Sequence, residues 1–529
     1  MRAIENWVLL LWGWKRWALA LALGAASAMA MAPVDAFPVL FVTFPLLVWL
    51  IDGTPATSLI TSLRGAFAVG WWLGFGYFLA GLWWISSAFL VEADVYGWMT
   101  PIITVIIPAG FAFFWAFAVC LARILWLKGP GRIVMLAFAM ALAEWLRGHV
   151  LTGFPWILIG QAFGASDVTA QAASLVGVYG LTFLGVLIFS APALLTGSGS
   201  EGRGRAQRVW LAIAAILMLG DIGYGSARLG GAEADTVDGI NLRIVQPSIQ
   251  QNQKWTEEGR AKALQTYLDL SDTKTSPDDL GILSRTHLIW PETALPFILS
   301  HEPDALAKIG EALPPGTLLL TGAPRAVKTP NFTQFFNSVY VIGNDGEIEA
   351  AYDKAHLVPF GEYVPLNGLF VRLGLGDLTR MIGGFSKGPG AKTISLPGTP
   401  PFAILICYEI IFPDSGIDEN NRPQWIVNVT NDGWFGKTFG PYQHLELTRL
   451  RAIEEGLPVV RAANTGISAI IDAYGRPREQ APLEAVAVVD GQLPPALPPT
   501  LYVRNGRAIF WSLLLASLVF WAFSRFRQH

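Results

Sequence analysis

The first 230 residues alternate long apolar runs with short polar loops. Crossing the ~30 Å hydrocarbon core of a bilayer takes about 20 apolar residues. Runs of that kind fall at 17–32, 37–51, 67–90, 101–122, 133–147, 170–196, 209–227 and 508–524. The pattern predicts a multi-pass α-helical membrane domain of about eight spans, with residues 1–230 holding all but the last and 501–529 forming a closing helix and tail. From about residue 240 the period changes. Short runs rich in β-formers appear at 241–246, 287–290, 317–321, 338–342, 402–406, 425–429, 458–462 and 467–471, with helical stretches at 257–271, 303–313 and 441–456. Strands interleaved with helices predict an α/β domain over 231–500. Asn344-Asp345-Gly346 supplies hairpin chemistry between two of the runs. The Pro-rich stretch 493–500 reads as an extended strap leading to the last helix.

Charge sharpens this division. Only 15% of the 529 residues are charged, against the usual quarter, which excludes an ordinary soluble chain, a disordered one or a nucleic-acid binder. Residues 1–230 carry 12 Lys/Arg and 9 Asp/Glu, while 231–506 carry 22 and 31. Alternate loops of the apolar half differ in sign. One set holds Arg2, Lys15, Arg16, Arg64, Arg123, Lys128, Arg132, Arg203, Arg205, Arg208, Arg525 and Arg527; the other holds Asp35, Glu92, Asp94 and Asp167, with Arg147 its only nearby cation. Cations concentrate in cytoplasmic loops, so both termini are expected in the cytoplasm and the α/β domain on the opposite side. Lys15-Arg16, an apolar stretch and the small residues near 26–30 also fit a cleaved signal peptide. Further spans follow at once and the loop charges need no cleavage, which favours a retained anchor. Trp71, Trp72, Trp83 and Trp84 fit an interfacial belt, helix packing or a lipid path.

Two cysteines lie far apart in character, Cys120 in an apolar run and Cys407 in the polar domain, and the six histidines show no ligand spacing. No metal site and no cofactor are expected. Several polar residues directly follow apolar strands: Glu292 after HLIW and Pro291, Lys354 after EIEAAYD, Cys407 after FAILI, and Asn431 and Asp432 after WIVNVT. The carboxyl ends of strands are where open α/β sheets build sites. There a thiol, a carboxylate and an ammonium would supply nucleophile, proton acceptor and oxyanion partner, with a backbone N–H after Cys407 as a second donor. Taken singly, each has an ordinary reading: a lone Cys is most often a small core residue, and a lone Glu or Lys is solvated surface.

Local strings change that balance. WPETALP at 290–296, DKAHLVPFGEYVP at 353–365, CYEIIFP at 407–413 and NDGWFG at 431–436 closely resemble motifs of the nitrilase superfamily, an αββα sandwich fold with a Glu-Lys-Cys triad. With a multi-span N-terminal half and one closing span, the whole chain resembles the membrane branch of that superfamily, the apolipoprotein N-acyltransferases. The resemblance implies Cys407 as nucleophile, Glu292 as base and Lys354 as the oxyanion-stabilising lysine. It also implies Glu362 as a supporting glutamate, Tyr408 and Glu409 as the pair after the nucleophile, and Trp255 and Trp434 as substrate-binding tryptophans.

What the resemblance further implies is a ping-pong acyl transfer in the cytoplasmic (inner) membrane, with the catalytic domain on the periplasmic side. Cys407 would take an acyl chain from a phospholipid as a thioester and pass it to the α-amine of a diacylated apolipoprotein. An α-amine of pKa ~7.7–8.0 is partly neutral, hence nucleophilic, at physiological pH. The expected partners are the phospholipid donor, the lipoprotein acceptor and the bilayer, with no nucleic acid, and the chain is expected to be a monomer. The apolar stretch 363–385 reads either as a mobile, partly membrane-inserted lid or as an insertion packed on the domain, and Phe332, Phe335 and Phe336 as part of an apolar mouth or of the core. Two other classes compete: a membrane-anchored nitrilase-type amidase acting on small amides, and a transporter or scaffold with a retired hydrolase domain. The amidase does not need eight spans, and a retired domain has no reason to keep all three triad residues.

Overall fold

The computed structural model describes residues 1–55, 57–196, 201–232, 235–254, 256–330, 332–365, 372, 384–413 and 415–526. Two units emerge: one comprises Met1–Ala232, Thr438–Glu455 and Pro499–His529, the other Glu233–Lys437 and Gly456–Pro498.

The first unit is helical. All eight apolar segments fold as helices: Trp14–Ala28, Leu40–Asp52, Leu59–Leu82, Thr100–Ile124, Gly131–His149, Ala173–Ser190, Glu201–Gly230 and Ala508–Phe526. Among the described residues, five stretches are long and apolar enough to cross a membrane: Leu59–Leu90, Ala93–Ile124, Ala173–Leu195, Gly204–Gly230 and Ala508–Phe526. The other three fall short for visible reasons. Trp14–Ala28 has 15 residues and Leu40–Asp52 has 13, while Gly131–His149 carries Arg132, Glu144 and Arg147.

Close approach between helices uses glycine. A Cβ on Gly24 would lie 1.9 Å from the Leu73 carbonyl oxygen, and one on Gly76 would lie 2.1 Å from that of Leu21. Only a missing side chain lets these two backbones meet. The tryptophans divide: Trp84 is buried and Trp83 is partly exposed, and Trp71 packs on Trp72 and Phe75.

Helix Gly440–Glu455 also belongs to this unit, although it lies between two strands in the chain. Gln443 explains much of that placement. Its Oε1 accepts the indole N–H groups of Trp84 and Trp156 at 3.0 and 2.9 Å, and its amide donates to Gly81 O at 3.2 Å. Glu454 accepts from Val178 N at 2.7 Å.

The second unit is a two-sheet sandwich. Strands β1 (Asn241–Gln246), β2 (His287–Ile289), β3 (Leu318–Lys328), β4 (Thr333–Ile342), β5 (Ile348–Asp353) and β12 (Ala487–Gln492) form one sheet in the order β12-β1-β2-β3-β4-β5. Strands β6 (Thr393–Leu396), β7 (Thr399–Ile406), β8 (Trp425–Thr430), β9 (Val459–Ala463), β10 (Ala469–Ile471) and β11 (Pro477–Gln480) form the other, in the order β11-β10-β9-β8-β7-β6. In each sheet three central strands are parallel and the flanking pairs antiparallel.

Strand alternation builds the layers. Leu242 and Ile244 of β1 join Val339 and Val341 of β4 and Phe402, Ile404 and Ile406 of β7 in the core between the sheets. Val245, Leu319 and Tyr340 point the other way, to a second core with Tyr267 and Ile309 of helices Glu257–Ser271 and Pro303–Ala312. Period-two patterning thus puts one face of the first sheet's strands in each core. The Asn344-Asp345-Gly346 turn joins β4 to β5, with Gly346 at φ +78°. Of the three phenylalanines at 332–336, Phe336 is buried, whereas Phe332 and Phe335 are exposed.

Candidate active site

Strand direction gathers the polar residues at one end of the sandwich. β3 and β5 both run antiparallel to β4, so β5 points the same way as β2 and β3. The residues just past β2 and β5 therefore emerge together, and those past the parallel pair β7 and β8 do the same in the second sheet.

Lys354 follows β5 directly and is 1% exposed. Its backbone N–H donates to Asn337 O at 2.9 Å, continuing the β4–β5 ladder and fixing where the side chain starts. The ammonium donates to Glu362 Oε1 at 2.9 Å and reaches Glu292 Oε1 at 3.5 Å. Asn337 of β4 completes the cluster, donating from Nδ2 to Glu292 Oε1 at 2.8 Å and to Glu362 Oε1 at 2.9 Å. Glu362 is held from its other oxygen by Val358 N at 2.8 Å. Burial pulls the Lys354 ammonium down, but the carboxylates of Glu362 and Glu292 outweigh it and hold the group above the ordinary lysine value.

Cys407 is the first residue after β7 and is buried. Its φ of +51° lies in the left-handed region, which costs a non-glycine residue about 1–3 kcal/mol and clusters at functional sites. Burial, and next the negative charge of Glu292, push its thiol up to about 12, against the pull of Lys354 and a hydrogen bond with Thr430. The sulfur thus sits in the field of both Glu292 and Lys354.

Glu409 has a different part. Its buried carboxylate accepts Ile406 N at 2.8 Å, Ala355 N at 2.7 Å, His356 N at 2.9 Å and the Tyr352 hydroxyl at 3.0 Å. It ties the backbone before Cys407 to the backbone after Lys354. Burial raises its pKa, and these N–H groups and Lys354 oppose the rise. Tyr408 is buried and meets His356 and Phe412 edge-on. Beyond β8, Asp432 is paired with Arg461 at 2.7 Å. Asn431 donates to Gln251 at 2.7 Å.

Trp434 lies on the turn Asp432–Trp434 and is 41% exposed. Trp255 lies outside the described residues, as do 366–371 and 373–383 of the expected lid. Two residues of the cluster escape the sequence reading. Asn337 is a single amide inside an apolar strand, and Lys254, buried with its ammonium 3.2 Å from Glu292 O, has the composition of a surface residue.

Residues 23–191 match the family described as the apolipoprotein N-acyltransferase N-terminal domain, and 288–497 match the carbon-nitrogen hydrolases. The chain is 47% identical over 506 residues to the apolipoprotein N-acyltransferase of Rhodopseudomonas palustris, covering 95% of this chain and 94% of that protein. It is 43% identical over 537 residues to the one from Brucella suis, covering 99% and 98%. An amidase from Nesterenkonia sp. AN1 overlays on 52% of the chain and 98% of its own at 16% identity, with a TM-score of 0.35.

Proposed function

Because the chain belongs to the apolipoprotein N-acyltransferase family, we propose that it moves an acyl chain from a membrane phospholipid to the α-amine of a diacylated lipoprotein through a thioester on Cys407. The observation that carries this is the buried Glu292–Lys354–Glu362 cluster acting on a buried thiol at a strand end.

The steps follow from the charges. A thiol pushed up to about 12 rests protonated, so it needs a base at the moment of attack. Glu292 takes that proton as sulfur bonds to the ester carbonyl carbon. The oxygen becomes an oxyanion, stabilised by the Lys354 ammonium and the N–H after Cys407. Collapse breaks the ester C–O bond, Glu292 returns the proton to the departing oxygen, and lysophospholipid leaves. The neutral α-amine of the acceptor then attacks the thioester and gives a proton to Glu292. The C–S bond breaks, the sulfur takes the proton back, and an amide remains. One covalent carrier lets two lipid substrates use one site in turn.

Glu362 and Asn337 hold Lys354 and Glu292 in register, Glu409 fixes the two loops, Tyr408 packs beside them, and Trp434 and Trp255 contact substrate. Residues 1–230 form the membrane domain, 231–500 the catalytic domain and 501–529 the closing helix and tail. The three helices that fall short of full spans complete an eight-span bundle. The loop cations support cytoplasmic termini and a periplasmic catalytic domain in the inner membrane, and spans at both ends of the catalytic domain favour a monomer without nucleic-acid partners.

The test is direct. Purified protein in detergent, given a phospholipid with a labelled acyl chain, becomes labelled, and hydroxylamine or a diacylated lipopeptide releases the label. Absence of label, or label that persists in Cys407→Ala, overturns the proposal. Hydrolysis of small amides without lipid would favour the amidase.

A further inference from the structure

Lys254 ends the short helix Gln251–Lys254 and is 1% exposed. Its ammonium donates to the backbone carbonyl of Glu292 at 3.2 Å. Lysine is almost never buried to this degree without a partner, and among the described residues the ionisable group acting on it is the Glu292 carboxylate. The peptide it holds is a strained one, for the next residue, Thr293, has φ +49°. A β-branched residue in the left-handed region persists only where its surroundings over-determine it. The same four-residue helix is braced from the far side as well, where Gln251 Oε1 accepts the Asn431 amide at 2.7 Å. It therefore spans from the loop after β2 to the loop after β8.

We propose that Lys254 is a positioning residue for Glu292, aiming through the backbone the carboxylate that exchanges protons with Cys407. This rests on the acyl-transfer reading above. Its charge matters too. Glu292 and Glu362, when ionised, bring two negative charges to the cluster against one positive charge from Lys354, and Lys254 brings the second. This second positive charge reduces what the interior, which also holds the Glu409 carboxylate, must bury uncompensated.

Charge and hydrogen bond are separable in this group. Burial pulls the Lys254 ammonium down to about 8, with Glu292 opposing the fall. Its positive charge is complete below that value and lost as pH rises through it. Arginine can offer the same donor and does not titrate in that range.

The experiment measures acyl-enzyme formation from a labelled phospholipid by the full-length protein in detergent between pH 6 and 10, for wild type, Cys407→Ala, Lys254→Met and Lys254→Arg. Lys254→Met is expected to lower the maximal acylation rate by about 10²-fold, the scale of a misplaced proton acceptor, while changing the half-saturating phospholipid concentration less than about 3-fold. Lys254→Arg is expected to recover most of that rate and to carry activity about one pH unit further into the alkaline range than wild type. A Lys254→Met protein as fast as wild type overturns the inference. So does a Lys254→Arg protein whose alkaline limb coincides with that of wild type, and this readout decides the matter if Lys254→Met does not fold. Failure of wild type itself to label overturns the acyl-transfer reading and this inference together, whereas normal wild-type labelling with either result above removes only the inference.

Discussion

Two buried ionic clusters lie at the strand ends of the sandwich, and they are built on opposite principles. From inside β9, Arg461 donates to Asp432, just past β8, at 2.7 Å, to Asn428 Oδ1 at 2.6 Å and to Ile467 O at 3.2 Å, while Asp432 also accepts the Thr430 hydroxyl at 2.9 Å. The guanidinium is planar, permanently charged and satisfied from several sides. After β2 and β5 the cation is Lys354, a point charge on a flexible stem, and it shares one oxygen of each of two glutamates with Asn337. Glu362 uses its second oxygen on Val358 N. Among the described residues the hydrogen bonds to the Glu292 carboxylate fall on Oε1, which leaves Oε2 to accept a proton. A closed arginine network fixes structure, whereas an incomplete lysine network keeps capacity for chemistry.

That contrast predicts which substitutions separate activity from stability. The largest effect is expected from Glu292→Gln. An amide keeps the shape and the Asn337 neighbour but cannot take the thiol proton, so acyl-enzyme formation should fall by about 10²–10⁴-fold, with a smaller loss of stability than Arg461→Met because Lys354 keeps its shorter bond to Glu362. Equal losses of activity and stability would erase the distinction between the clusters.

Arg461→Met is expected to do the reverse. Removing one partner of a buried pair leaves Asp432 uncompensated and costs about 3–5 kcal/mol of stability. Chemical denaturation, compared with the activity of the fraction that remains folded, reads this directly. A stable but inactive Arg461→Met protein would move Asp432 and Arg461 into the machinery.

Asn337→Ala probes the joint between the two carboxylates. It deletes two hydrogen bonds to Glu292 and Glu362, each bond to a charged group being worth about 1.5–3 kcal/mol. The expected loss in acylation rate is about 10–100-fold, smaller than for Glu292→Gln because Lys354 still holds both carboxylates. A variant with the full wild-type rate would show that Lys354 alone aligns them.

Asn337 also shows where sequence reading stops. Glu292, Lys354 and Cys407 stand out because each directly follows an apolar run, and strand ends are where sites form. Asn337 stands inside its run, TQFFNSVYVI, and only the β4–β5 register, Ser338 against Asp353, brings it next to Lys354. Nothing in the local pattern sets Lys254 apart from the solvated lysines that are the rule, and its burial depends on a helix of four residues. Helix Gly440–Glu455 reads by position as a sandwich helix, yet Gln443 and Glu454 bind it to Trp84, Trp156 and Val178. Local pattern carries the elements and the strand-end candidates. Register and tertiary partner, which join residues distant in the chain, do not show in it.

The smallest expected effect tests the electrostatics rather than the reaction. In a Cys120→Ala background Cys407 is the only thiol, so its alkylation by iodoacetamide reports its thiolate alone. With the thiol pushed up to about 12, the rate should be slow at pH 8 and rise about tenfold per pH unit through pH 10. Glu292 raises this thiol and Lys354 lowers it. Glu292→Gln should therefore speed alkylation several-fold and Lys354→Met should slow it, each by a Coulomb term of about 1 kcal/mol. Glu292→Gln is thus expected to make the sulfur more reactive towards a small reagent while abolishing acyl transfer. If both rates fell together, Glu292 would be supporting the site's structure, and the contrast with the arginine cluster would disappear.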